Sequence, residues 1–174
     1  MDYWLITEEW IKRYTPIGEF ISTSIILPFL KISEEIDVRS MVGELLYNRL
    51  KQGTEDSNLT TDEMILLDLI RPYLAYATVA RSIPFISVQI RGAGVVKVVN
   101  ANIQPATLQE VKDIETKCTN ISDYYAQRIL EYLCNNSSKF PLYNQPGNPS
   151  ADSGTRYSGG FYFGCSCTGK CSCW

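Results

Sequence analysis

Thr60-Thr61-Asp62-Glu63-Met64-Ile65-Leu66-Leu67-Asp68-Leu69-Ile70-Arg71-Pro72-Tyr73-Leu74-Ala75-Tyr76-Ala77-Thr78-Val79-Ala80 is the stretch whose reading decides the fold. Its first four residues form a capping box, in which a hydroxyl and a carboxylate satisfy orphan amides at a helix start. Apolar residues then occupy nearly every face, the signature of a helix buried all round. Asp68, Arg71 and Arg81 interrupt the run, and a bilayer span needs roughly 20 apolar residues. The segment therefore reads as the central helix of a soluble domain. Pro72 lacks an N–H, so a kink or break is expected near residues 68–71. Ile83-Pro84 is the expected stop, because a residue before proline is pushed out of the α region.

Toward the N-terminus, Thr7-Glu8-Glu9-Trp10 reads as a cap with two acids in the first turn, facing the positive end of the helix dipole. Thr15-Pro16 ends that helix. Adjacent acids point about 100° apart on a helix and do not converge as a catalytic pair. The same cap reading applies to Glu34-Glu35. A second helical region starts near Ser24, with Ile25, Phe29, Ile32 and Ile36 on one apolar face. Pro28 suits its first turn. Asp37 is expected to cap a further segment carrying Val38, Met41, Val42, Leu45, Leu46 and Leu50. Residues 53–58 form a polar loop.

Toward the C-terminus the period changes from about 3.6 to 2. Val88 and Ile90 alternate with Gln89 and Arg91. Gly92-Ala93-Gly94 supplies a turn, and Val95-Val96-Lys97-Val98-Val99 is β-branched. Residues 87–100 are thus predicted to form a β-hairpin. An isolated hairpin is marginal in water, so Val88, Ile90, Val96 and Val98 are candidate partner-contact residues. Thr107-Leu108-Gln109-Glu110 is a second capping box. Val111, Ile114, Cys118, Ile121, Tyr125, Ile129 and Tyr132 follow at spacings of three and four, predicting a helix to about Cys134. Cys118 falls on that seam and reads as a buried, inert thiol.

Composition shifts after Phe140-Pro141. Six of the eleven glycines lie from Gly147 onward. The segment nevertheless keeps Tyr143, Tyr157, Phe161, Tyr162, Phe163 and Trp174. Solvated linkers lack aromatics, and a glycine-rich tail that retains them lays them on a partner. Tyr157, Phe161, Tyr162, Phe163 and Trp174 are therefore candidate partner contacts. Cys165, Cys167, Cys171 and Cys173 could hold zinc tetrahedrally. Their spacing departs from the paired Cys-x-x-Cys of zinc ribbons, leaving free or partner-contacting thiols as the other reading. No metal or other cofactor is assigned.

The net charge of −3 and the absence of any basic cluster argue against a protein that grips nucleic acid by neutralising phosphates. The chain has no histidine, which removes the commonest general base and metal ligand together. It also lacks a glycine-rich phosphate loop and a nucleophile with a nearby base, so no enzyme is expected. Met1-Asp2-Tyr3-Trp4 carries neither a basic nor an apolar region of a secretory signal. Folding in a cytoplasm is expected, and the Asn-x-Ser/Thr matches at Asn58, Asn120, Asn135 and Asn136 are chance.

Several stretches together resemble one known family. They are Leu5-Ile6-Thr7-Glu8-Glu9, Tyr14-Thr15-Pro16, Arg71-Pro72-Tyr73-Leu74-Ala75-Tyr76-Ala77 and Gly94-Val95-Val96-Lys97. Tyr124-Tyr125-Ala126-Gln127-Arg128, Glu131-Tyr132-Leu133-Cys134-Asn135-Asn136 and Phe140-Pro141-Leu142 complete the set. In order and spacing they are similar to the head–tail connector proteins of tailed phages of Bacteroidetes, including the crAss-like phages. The resemblance covers about residues 1–143 and excludes the cysteine-rich tail. It implies a helical bundle with a hairpin, assembled as a ring, usually dodecameric, below the portal in the virion neck, through which DNA passes.

The expectation is then a mainly α protein: a helical bundle with one β-hairpin and an extended C-terminal tail. Residues 1–140 form the connector domain and residues 141–174 a docking tail. The expected function is a structural virion protein, assembled in the host cytoplasm. Its expected partners are further copies of itself, the portal protein and adjoining neck or tail rings. DNA passes without sequence-specific binding, and no membrane is involved. The alternative is a helical host adaptor or regulatory module with a metal-binding cysteine tail.

Overall fold

A computed structural model describes residues 5–17, 21, 23–91, 94–97, 106–143, 157–158 and 161–162. The chain is mainly helical. In order come α1 (Glu8–Tyr14), α2 (Thr23–Ile32), a π-helical turn (Ser33–Val38), α3 (Arg39–Val42), α4 (Glu44–Glu55) and α5 (Thr61–Ser87). Strands β1 (Val88–Arg91) and β2 (Gly94–Lys97) precede α6 (Leu108–Asn135) and a 3-10 turn (Ser137–Lys139). Two-residue strands β3 (Tyr157–Ser158) and β4 (Phe161–Tyr162) follow. β1 and β2 pair antiparallel, with Val88 opposite Lys97 and Ile90 opposite Val95, and β3 pairs antiparallel with β4.

The chain divides into two compact units. The first comprises Met1–Leu5, Glu34–Ile70 and Ala126–Trp174. Its core holds Leu5, Val42, Leu46, Leu50, Leu66, Leu67, Ile70, Ile129 and Leu133. Each such side chain contributes about 1.5–3 kcal/mol by leaving water. Gly43, at φ +83°, separates α3 from α4 in a conformation that glycine adopts without steric cost. A methyl group at Gly53 would press on the tip of the half-buried Leu59 side chain, which would have to turn aside. The Tyr132 hydroxyl donates to the Asp62 carbonyl at 3.4 Å, and Lys139 Nζ lies 2.7 Å from Asp62 Oδ1. The end of α6 is thereby tied to the start of α5.

The second unit comprises Ile6–Ser33 and Arg71–Tyr125. Thr7 caps α1, its Oγ1 accepting the Trp10 amide at 3.4 Å, and the helix stops before Thr15. Ile6, Ile11, Ile26, Leu30, Leu74, Ala75, Val79 and Cys118 are buried. Arg81 Nη1 donates to Ser33 Oγ at 3.1 Å, and Phe29 and Phe85 pack with ring centroids 4.9 Å apart.

Several sequence expectations need correction. α5 is continuous through Pro72 and runs on past Pro84 to Ser87, so neither proline breaks or stops it. An interior proline costs about 3 kcal/mol. Burial of Ile70, Tyr73 and Leu74 around Pro72 outweighs that. Nor is α5 buried all round: Met64, Ile65 and Phe85 are exposed. Pro28 lies inside α2 rather than in its first turn.

Asp37 caps no new helix; it sits within the π-helical turn, and the actual interruption is at Gly43. Glu34 and Glu35 are not dipole-facing cap residues either. The helical run enters their turn from α2, and Glu34 is buried while Glu35 is exposed. The buried face here is Ile26, Leu30, Ser33, Glu34 and Val38, one residue off the expected face. Ile32 and Ile36 are consequently exposed. Two polar residues with partners occupy positions that an apolar pattern cannot show.

Candidate functional site

Among the described residues, three features have chemical or binding potential: the strand pair, the exposed side of α6 and a buried carboxylate in the π-helical turn. The strand pair places Val88, Ile90 and Val96 on paired backbone, with the register given above. A two-stranded ladder leaves outward N–H and C=O groups that can template another strand. Val98 lies outside the described residues. So do Phe163, Trp174 and all four tail cysteines, Cys165, Cys167, Cys171 and Cys173. Tyr157, Phe161 and Tyr162 fall on the β3–β4 ladder.

α6 begins at its capping box. Glu110 Oε2 accepts the Thr107 amide at 2.8 Å, and Thr107 Oγ1 accepts the Glu110 amide at 3.3 Å. The Thr107 hydroxyl, which donates to Glu110 Oε2 at 2.7 Å, and the Thr107 amide together hold the Glu110 carboxyl below the usual carboxylate range. The face that the helix buries is Cys118, Ser122, Ala126, Ile129 and Leu133. The expected seam is only partly that face: Val111, Tyr125 and Tyr132 are half-buried, and Ile114 and Ile121 are exposed. Leu108 is 69% exposed and Tyr124 56% exposed. Ile114 and Ile121 are seven residues apart and so share one side of the helix. Sequence periodicity located these residues but assigned them to the core. Cys118 is buried as expected, and burial pushes its thiol up, away from the reactive thiolate.

The buried carboxylate belongs to Glu34. Its Oε2 accepts the Leu5 amide at 3.3 Å and its Oε1 accepts the Tyr47 hydroxyl at 3.1 Å. Desolvation raises the Glu34 carboxyl above its usual range, against the lowering effect of both hydrogen bonds and of Lys51. Desolvation and the nearby Glu34 charge also push the Tyr47 phenol up. Sequence reasoning missed this cluster because spacing alone does not disclose a π turn.

A second polar cluster joins α4 to α5. Arg49 donates from Nε to Glu63 Oε1 at 2.9 Å and from Nη2 to Glu63 Oε2 at 3.0 Å. It also reaches Asn58 Oδ1 at 2.8 Å, while Glu63 Oε2 accepts the Thr60 amide at 2.8 Å. This cluster closes the interhelical loop and is satisfied within itself.

Among the described residues, no group of three or more His, Cys, Asp or Glu side chains is arranged to hold a metal ion. No helix among them is long and apolar enough to cross a membrane.

No curated protein and no solved structure matches the chain. Residues 38–153 match a family of unknown function, DUF6712. That match spans α3 to α6 and more than half of the chain, which therefore belongs to the DUF6712 family.

Proposed function

We propose that this protein is a structural component of a phage virion that forms a closed ring in the neck, joins the portal to the tail and lets DNA pass. The observation that carries the reading is the ordered set of sequence stretches from Leu5 to Leu142 that resembles phage head–tail connectors. Two further observations support it. Leu108, Ile114, Ile121 and Tyr124 give α6 exposed apolar area of the kind that subunit contacts cover. The net charge of −3 suits a conduit that must not grip its cargo.

In this reading the fold is a helical bundle with β1–β2 as its hairpin, and that hairpin contacts a neighbouring subunit or ring. Residues from about 141 to 174 form the docking arm toward the portal or an adjoining ring. Ordering such an arm costs roughly 1–2 kcal/mol per residue in backbone entropy. Its aromatics contribute on the order of 1–3 kcal/mol each, so backbone pairing with the partner must supply more, as in strand addition. The protein performs no catalysis. Single substitutions of Asp68, Cys118 or Glu131 change stability or assembly and abolish no turnover.

Deleting residues 144–174 tests the docking role. The truncated chain keeps its helical circular dichroism and melts cooperatively, but yields heads that lose DNA or fail to join tails. Normal infectious particles from the truncation would refute the reading.

A further inference from the structure

Glu34 is 0% exposed and sits in the six-residue π-helical turn Ser33–Val38. π turns are rare and frequently occur at functional positions. This one carries an acid with a different donor on each oxygen. One donor is the backbone of Leu5, itself 1% exposed, and the other is Tyr47 of α4. The charged groups that act on Glu34 are Lys51, one turn beyond Tyr47 on α4, and the adjacent Glu35. Lys51 Nζ lies 6.0 Å from the centre of the Tyr47 ring.

We propose that Glu34 is the pin of a conformational latch, holding the chain at Leu5 against the π-helical turn and α4 and releasing it when the carboxyl ionises. As a neutral acid, Glu34 satisfies the whole cluster. Its carbonyl oxygen accepts the Leu5 amide and its hydroxyl exchanges a hydrogen bond with the Tyr47 hydroxyl. The ionised form must be held without water, and the open state offers it water.

The sign follows from burial. The folded-state value is raised, so the contribution of Glu34 is complete below the ordinary carboxylate range. It is lost as pH rises through the raised value. Lys51 moderates the release and Glu35 favours it. The bistable element is the π turn, whose carboxylate has partners on two other segments.

The test needs only the isolated full chain. The Glu34 Cδ resonance is followed by carbon-detected NMR across pH, together with the hydrogen-exchange protection of the Leu5 amide. The Glu34 midpoint is expected above the ordinary carboxylate range. Leu5 protection should fall roughly tenfold or more through that midpoint, the scale of one hydrogen bond to a charged group. In Glu34→Gln the pH step in Leu5 protection disappears. In Tyr47→Phe the Glu34 midpoint moves further up, because a hydrogen bond that favours the charged form is gone. A Glu34 midpoint at or below the ordinary range overturns the latch, as does an unchanged pH step in Glu34→Gln. Should Glu34→Gln fail to fold, the wild-type midpoint and the Leu5 profile decide alone.

Discussion

α5 and α6 share a local design and differ in environment. They are 27 and 28 residues long, and each starts at a Thr-x-x-Glu capping box. The two boxes have the same geometry, with a 2.8 Å bond from the threonine amide to the carboxylate and a 3.3 Å return bond. Around α5 the box is partly buried and clamped by Arg49. Leu66, Leu67, Ile70 and Leu74 behind it are almost wholly removed from solvent. Around α6 the box is exposed, and the apolar residues of the first four turns remain largely in solvent. An apolar stripe therefore specifies that a helix has a face to bury, and says nothing of whether its own chain covers that face.

The largest effect that can break this comparison is a pair of core truncations. Leu66→Ala or Ile70→Ala should cost about 2–5 kcal/mol in urea unfolding. Ile114→Ala, in the unassembled chain, should stay within about 0.5 kcal/mol. Equal losses would mean that α6 is as deeply packed as α5. Next comes Arg49→Ala, which leaves the mostly buried Glu63 without its bidentate partner. It should cost about 1–3 kcal/mol, measured the same way. Glu110→Ala at the other box should cost measurably less, because solvent replaces what is lost.

The smallest effect is in pH dependence. The Glu110 carboxyl is held low, so its contribution is present above the ordinary carboxylate range and fades as pH falls through its lowered value. Glu34 has the opposite slope. Thermal melts of Glu110→Gln and Glu34→Gln should both approach wild type near about pH 3, where each carboxyl is neutral like the amide. Toward about pH 8 they should diverge from it in opposite directions, Glu110→Gln becoming less stable than wild type and Glu34→Gln more stable. Divergence in the same direction would contradict the contrast in burial.

Much of this was legible in the residues. Thr7, Thr60 and Thr107 announce helix starts because capping is a local exchange of hydrogen bonds, complete within four residues. Cys118 announces burial through spacing. The prolines misled, because a local rule about one missing N–H competes with tertiary burial along a whole helix. Glu34 was illegible for a different reason. The buried face is already one residue off the expected one in α2, at Ile26 and Leu30, and the Leu5 amide that accommodates the acid lies 29 positions away. On α6 the heptad-like stripe was plain, but Ile114 and Ile121 carry no mark that distinguishes a core from an interface.

Whether that uncovered side meets other copies is best tested by the mass of the assembled particle, by native mass spectrometry of the full chain. The account predicts a closed ring of many copies of the 19.7 kDa chain, a dodecamer by the family resemblance. It further predicts that Ile114→Asp combined with Ile121→Asp abolishes the ring and leaves a folded monomer. A wild-type chain that stays monomeric or dimeric at every concentration, or a ring unaffected by both substitutions, would contradict it.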